Sequence, residues 1–194
     1  ALQQLALTHG ATGQWESAAK ELREAASLRP DRAPVWLDLG NAELQLDRLD
    51  EAQAAYDKAL ALDKRLADAH LAMGQLQDLR GNYAGALAHL SRAVRLDSDD
   101  TKYQMALASH YLARGETTKA RTAFEGLART AGSEADRAYA NSMLALLNHD
   151  GKRMLAELKR ADALQPGGYD EGVEKAAIAL FDLKQYADAR TLLD

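Results

Sequence analysis

Large and small apolar residues recur along this chain with a period of 34 residues. Glycine and aspartate interrupt the apolar pattern at the same interval, at Gly13, Asp47, Gly81 and Gly115. Two columns of the repeat hold small and large apolar side chains: Ala18, Ala52, Ala86 and Ala120, and Leu22, Tyr56, Leu90, Phe124 and Leu158. A fixed period of this length predicts an array of small units, each of which buries its apolar face against its neighbours.

Each unit has the pattern of two helices. In residues 33–66, apolar residues follow helical spacing before and after the polar segment 47–50. Such a short polar break is typical of the connection in an antiparallel helix pair. Gly40 and Ala52 are small enough for the two backbones to approach closely, so we expect them at the contact between the helices.

The period divides the chain into six repeats within one array. The predicted boundaries are 1–32, 33–66, 67–100, 101–134, 135–168 and 169–194, with the first and last repeats incomplete. Asn141 and Met154 depart from the column pattern, which predicts a shifted first helix in the fifth repeat. Ala1 lies inside a first helix and no polar capping helix is visible, so we expect a segment of a longer protein.

Composition supports helices and excludes several functions. Ala makes up about a fifth of the chain and Pro contributes 3 residues, and these are the best and worst helix formers. The net charge of −5 argues against nucleic-acid partners, including those of RNA-reading helical repeats. The absence of Cys removes disulfides and thiolate chemistry. Without an apolar run of ~20 residues, we expect no direct insertion into a membrane.

Residues with potential for catalysis or metal binding are scattered. The five His have no spacing that would place two on one face of a helix, so we predict no metal site. The acidic run 97–100 lacks the Gly and Glu of a calcium loop and is interpreted as a helix cap. Because no nucleophile is paired with a base, the chain is predicted to be non-catalytic and to need no cofactor. An enzyme with an unrecognised site is the remote alternative.

The repeat resembles the tetratricopeptide repeat, which has this period and a matching signature. The second unit carries the resemblance through Trp36, Leu39, Gly40, Ala52, Tyr56 and Ala59. The resemblance implies an all-α, right-handed superhelix, or α-solenoid, of antiparallel helix-turn-helix repeats. It also implies that the first helix of each repeat lines a concave groove and that the protein is a protein–protein interaction scaffold.

Helical spacing then selects the first-helix residues that point away from the packed face. The predicted partner-binding groove consists of Leu37, Asn41, Leu44, Gln45, Leu71, Gln75, Asp78, Lys102, Met105 and Ser109. This mixture of apolar and amide side chains favours a protein or peptide partner in the groove. An architectural spacer within a larger protein is the alternative function, and self-association through the terminal repeats is an alternative interaction.

The cellular context is only weakly indicated. A composition heavy in Ala, Leu, Arg and Asp is typical of GC-rich bacteria. Long bacterial arrays of this type are similar to periplasmic scaffolds of exopolysaccharide export and other envelope assembly systems. We therefore expect an envelope-related role, with a periplasmic location favoured over a cytoplasmic one.

Overall fold

The computed structural model describes residues 2–169 and residue 178, and within them it contains ten α-helices and no strand. The sixth predicted repeat, 169–194, therefore lies outside the described residues except for Tyr169 and Ile178. The helices are α1 Leu2–Ala11, α2 Trp15–Leu28, α3 Ala33–Gln45, α4 Leu49–Leu62, α5 Ala67–Leu79, α6 Tyr83–Leu96, α7 Thr101–Ala113, α8 Thr117–Thr130, α9 Glu134–Leu147 and α10 Gly151–Leu164.

The helices form five consecutive pairs. In each pair the second helix has 14 residues. These second helices begin 34 residues apart, at Trp15, Leu49, Tyr83, Thr117 and Gly151. The first helices α3, α5 and α7 have 13 residues and keep the same period. Helix α9 has 14 residues and begins at Glu134, one residue earlier than the period requires. This early start falls in the repeat for which the sequence predicts a shifted first helix.

One residue between the two helices of each described pair adopts a left-handed backbone. These residues are again spaced by 34: Gly13 (φ 74°), Asp47 (58°), Gly81 (72°), Gly115 (68°) and His149 (58°). Glycine enters this region without a steric cost, whereas a residue with a Cβ does so at a cost. The left-handed turn therefore persists at Asp47 and His149, although neither of these residues is glycine.

The chain folds as two compact units, Ala1–Asp99 and Asp100–Asp194. In unit 1, which contains α1 to α6, each helix packs against the next, and the first helices also contact one another, α1 with α3 and α3 with α5. In unit 2, α7 to α10 pack in sequence around Phe124, Leu127, Met143 and Leu158, all of which are buried.

Two glycines allow the helices of unit 1 to pack closely. A Cβ on Gly40 would lie 2.3 Å from Cε1 of Tyr56, and one on Gly74 would lie 2.7 Å from Cγ of Leu90. Ala52, which we expected opposite Gly40, is also fully buried. The side chain that fills the space at Gly40 is nevertheless Tyr56, one turn further along α4.

Candidate protein-binding face

The predicted groove residues of unit 1 lie on α3 and α5 and differ in exposure. Asn41, Gln45 and Gln75 are exposed, whereas Leu44, Leu71 and Asp78 are half-buried. Residues 41 and 45, and residues 71, 75 and 78, are three or four apart, so each set lies along one side of its helix. The two first helices of this unit thus present amides, with partly covered apolar side chains beside them.

Leu37 is a core residue, so its assignment to an exposed groove is wrong. Its side chain is 9% exposed and belongs to the cluster that contains Tyr56 and Met73. The physical reason is that α3 contacts both α4 and α5, and these neighbours cover the flank of α3 that carries Leu37. The spacing of residues along α3 alone does not show that the neighbouring helices bury Leu37.

Unit 2 contributes the three predicted residues of α7. Lys102 is exposed, with its Nζ 3.2 Å from Asp100 and 4.6 Å from the centroid of the Tyr103 ring. Ser109 is half-buried. Met105 is partly buried and packs against the core of this unit.

Asn41 is fixed in place by a buried tyrosine. The hydroxyl of Tyr56 donates a hydrogen bond to Oδ1 of Asn41 at 2.9 Å. Burial raises the pKa of Tyr56 above its ordinary value, so the phenol stays protonated and keeps this donor. This hydrogen bond uses one lone pair of the amide oxygen, so Asn41 can still offer its N–H donors and one further acceptor site to a ligand.

A cavity of about 290 Å³ lies between α1, α2 and α3. Its walls are mainly apolar and include Leu7, Ala11, Trp15 and Leu22; the polar side chains among its lining residues are Asp38 and Asn41. The volume is at the small end of the range of about 300–1,000 Å³ that is typical of ligand sites. An apolar cavity with a few fixed polar groups is the usual form of such a site.

Asp38 lines this cavity, and its carboxylate accepts a hydrogen bond from a neutral side chain. Gln3 donates a hydrogen bond from Nε2 to Oδ2 of Asp38 at 2.7 Å. Burial raises the pKa of Asp38, and the hydrogen bond from Gln3 partly opposes this rise. Within the described part of the chain, no Lys or Arg forms an ion pair with this carboxylate. Its desolvation is therefore only partly compensated.

Sequence reasoning missed two candidate binding residues that line this cavity. Leu7 is 47% exposed on α1 and lines the cavity, and it occupies the same repeat column as Asn41 and Gln75, so extending that column to the first repeat would have found it. Asp38 gave no such signal, because its desolvation depends on the contact between α1 and α3.

The search for paired histidines along single helices also missed a pair formed between helices. His70 on α5 and His89 on α6 lie with their Nδ1 atoms 3.0 Å apart. His70 Nε2 lies 3.2 Å from the carbonyl oxygen of Lys64, so it acts as the donor to that oxygen. A neutral His70 then accepts through Nδ1 the hydrogen bond that His89 donates.

The acidic run 97–100 caps a helix, as the sequence predicts. The side chain of Asp100 accepts a hydrogen bond from the backbone N–H of Lys102 and so caps α7. Among the described residues, no group of three or more His, Cys, Asp or Glu is placed to hold a metal ion. Over the same residues, none of the helices combines the length and apolar character needed to cross a bilayer.

Known proteins share both the sequence pattern and the fold. Lipopolysaccharide assembly protein B of Escherichia coli K12 is 30% identical over 104 residues, which are 51% of this chain and 27% of that protein. The chain thus spans about a quarter of the length of this relative. A tetratricopeptide repeat protein from Parabacteroides merdae superposes with a TM-score of 0.76 at 18% identity, covering 93% of this chain and 70% of that one.

A second solved structure has a title that mentions binding. YrrB, described as a tetratricopeptide repeat protein with an unusual peptide-binding site, superposes with a TM-score of 0.60 at 21% identity and covers 94% of this chain and 90% of that one. At these identities the structural matches show the fold alone, which confirms the predicted all-α helical-repeat solenoid. Sequence profiles described as tetratricopeptide repeat match residues 4–66, 37–101 and 79–147. The matches span most of the chain, which therefore belongs to the tetratricopeptide repeat family.

Proposed function

We propose that this protein is a non-catalytic scaffold that binds a segment of a partner protein on its first-helix face. This face is defined here as the solvent-facing side of α1, α3 and α5 in unit 1. Its members are Leu7, Asn41, Leu44, Gln45, Leu71, Gln75, Asp78 and Leu79. In unit 2, Lys102, Met105 and Ser109 on α7 remain predicted partner contacts of that unit by itself.

The observation that carries the proposal is the exposure of apolar side chains on the first helices. Leu79, the last residue of α5, is 66% exposed, and Leu7 on α1 is 47% exposed. Each lies beside a polar or amide group of the same face, Leu79 near Gln75 and Leu7 near Asn41. Apolar anchors supply most of the affinity in peptide recognition, and neighbouring polar groups set orientation and register. The general use of this family as interaction scaffolds supports the same function.

We place this activity in a bacterial envelope-assembly system. The support is the similarity to lipopolysaccharide assembly protein B over about half of this chain. The proposal includes exopolysaccharide export, which is a system of the same class. It also includes a periplasmic location.

A substitution at Leu79 tests the binding face. Short random peptides displayed on phage are selected against the immobilised chain, and the affinity of each enriched peptide is measured for Leu79→Arg. We expect a loss of about tenfold or more, because a charge replaces an apolar anchor. Leu28→Arg is the matched control, since Leu28 also ends a helix, is 65% exposed, and lies on the second helix α2 of the same unit.

The outcomes separate the possible functions. If Leu28→Arg weakens binding as much as Leu79→Arg, the interface does not lie on the first-helix face. If no peptide is enriched and the chain only self-associates in sedimentation experiments, the binding function is wrong and the architectural or self-association alternatives replace it. Both variants should keep the helical circular dichroism spectrum, since both side chains are exposed.

A further inference from the structure

The first helices of unit 1 carry acidic residues and no Lys or Arg. The acidic side chains on α1, α3 and α5 are Asp38, Glu43, Asp68 and Asp78. Glu43 is buried and pairs with Arg23 at 2.5 Å and Arg48 at 3.4 Å, so it belongs to the interior. The helical cations of this unit lie on the second helices, at Lys20, Arg23, Lys58, Arg92 and Arg95. The first helices of unit 1 therefore carry acidic charge without Lys or Arg, whereas the second helices carry both signs, because Glu16, Glu21, Glu24, Asp50, Glu51 and Asp57 lie on α2 and α4.

The cavity between α1, α2 and α3 combines this acidic character with an apolar interior. Leu7, Trp15 and Leu22 supply apolar walls, and the Asp38 carboxylate lies among the lining residues. The only hydrogen bond to this carboxylate among the described residues comes from the neutral amide of Gln3. A cationic ligand group beside Asp38 would replace the hydration that the carboxylate has lost with a charge-assisted hydrogen bond.

We propose that the cavity of α1, α2 and α3 binds an apolar side chain from a basic segment of a partner protein, with a Lys or Arg of that segment against Asp38. This inference rests on the proposed function, because it specifies the partner for part of the first-helix face. The face thus selects basic segments that carry apolar anchors.

The same charges act against other segments. An acidic segment would bring a carboxylate close to Asp38 in a site of reduced dielectric, where repulsion between like charges is strong. An uncharged apolar segment would fill the cavity but leave the Asp38 carboxylate desolvated without a cationic partner. A basic apolar segment satisfies both the cavity and the carboxylate.

The test compares two synthetic peptides with the intact chain. Both peptides have Leu at the same positions, and the intervening positions are Lys in one and Glu in the other. We expect the Leu–Lys peptide to bind at least tenfold more tightly, and Asp38→Asn to weaken it about five- to twentyfold. The variant is nearly isosteric and keeps an oxygen that accepts the hydrogen bond from Gln3. The control is Asp31→Asn, which removes the same charge from the exposed loop between α2 and α3.

A third variant distinguishes failure of this inference from failure of the proposed function. If Leu79→Arg weakens the binding of peptides selected by display, but these peptides are acidic or insensitive to Asp38→Asn, the basic-segment inference is wrong and the binding face stands. If neither substitution affects any bound peptide, both proposals are wrong. Equal effects of Asp38→Asn and Asp31→Asn would show that only the net charge of the chain matters, which would also overturn the inference.

Discussion

At the scale of single residues, the left-handed turn positions show how the repeat tolerates an unfavourable residue. His149 adopts φ 58° at the position that Gly13, Gly81 and Gly115 occupy in other repeats. A residue with a Cβ is disfavoured in this region by roughly 1–2 kcal/mol relative to its ordinary backbone conformations. The packing of the two helices that flank the turn therefore maintains the left-handed conformation of His149.

We predict that His149→Gly increases the free energy of unfolding. The gain should be about 0.5–1 kcal/mol, because removal of the Cβ strain exceeds the added backbone entropy of Gly in the unfolded chain. Urea unfolding followed by circular dichroism measures the change. The reverse substitution, Gly115→Ala at φ 68°, should lower stability; a gain in that variant would contradict the strain argument.

A second prediction concerns the close contact at Gly40. Gly40→Ala should lower the free energy of unfolding by roughly 1–3 kcal/mol, because the new Cβ would overlap the buried Tyr56 ring. Gly126→Ala on α8 should raise it by about 0.5–1 kcal/mol, since nothing lies within 4 Å of that Cβ and Ala favours a helix. Thermal unfolding of each variant, compared with that of the original chain, measures the two changes in stability. Stabilisation of both variants would show that the helices separate easily at Gly40.

The columns of small residues could be predicted from the sequence because packing imposes them on every repeat. The exposure of an individual side chain could not. Leu37 and Leu71 occupy the same column, yet Leu37 is buried in the core while Leu71 is half-buried. The difference depends on the neighbouring helices that cover each position, and one helical pattern does not contain that information.

At the scale of elements, buried charge joins the helices of unit 1. Glu43 on α3 is 1% exposed and binds Arg23 of α2 and Arg48, which precedes α4. Arg48 also reaches Glu16 of α2 at 2.8 Å. One carboxylate thus connects three consecutive helices.

Neutralising this carboxylate should destabilise unit 1. We expect Glu43→Gln to lower the free energy of unfolding by roughly 1–3 kcal/mol, because both charge-assisted contacts weaken at a buried position. Glu24→Gln, at an exposed position on α2, is the control and should change stability by less than about 0.5 kcal/mol. Equal effects in urea titrations would mean that the buried pair contributes no more than a surface charge.

The histidine pair between α5 and α6 predicts a pH dependence. Burial lowers the pKa of His70 and of His89. The hydrogen bond with the Lys64 carbonyl opposes the fall in the pKa of His70, while Arg92 and Arg95 lower it further. The positive charge of one ring also disfavours protonation of the other, while Asp57 on α4 opposes the shift at His89. Both pKa values therefore lie below the ordinary value of 6.5, and the neutral pair is the form that the fold favours.

The sign of the effect follows from proton binding. As the pH falls below about 6.5, the unfolded chain takes up protons on these histidines before the folded chain does, so the free energy of unfolding decreases. This stability contribution is present above pH 6.5 and is lost as the pH falls through the lowered values. Urea titrations between pH 7.5 and 5 should show a smaller decrease for His89→Gln than for the original chain. An equal decrease would exclude the pair as its source.

At the scale of the whole molecule, the fold was predictable and much of the binding face was not. The period of 34 residues fixes the helix pairs, and the second helices keep that period in all five described pairs. The cavity beside Asp38 depends on three helices, and its carboxylate is bound by Gln3 on a different helix. Contacts between distant parts of the chain leave no periodic signal, so the sequence pattern did not indicate this part of the site.

If the first helices bind a partner segment, backbone amide NMR of the chain will show the contact residue by residue. A peptide selected by display is titrated into the isotopically labelled protein, and shift changes are followed for every assigned amide. We predict that the largest changes fall on α1, α3 and α5, with smaller changes on α2, α4 and α6. Changes concentrated on the second helices or on the loops between repeats would show that the first helices are not the binding face.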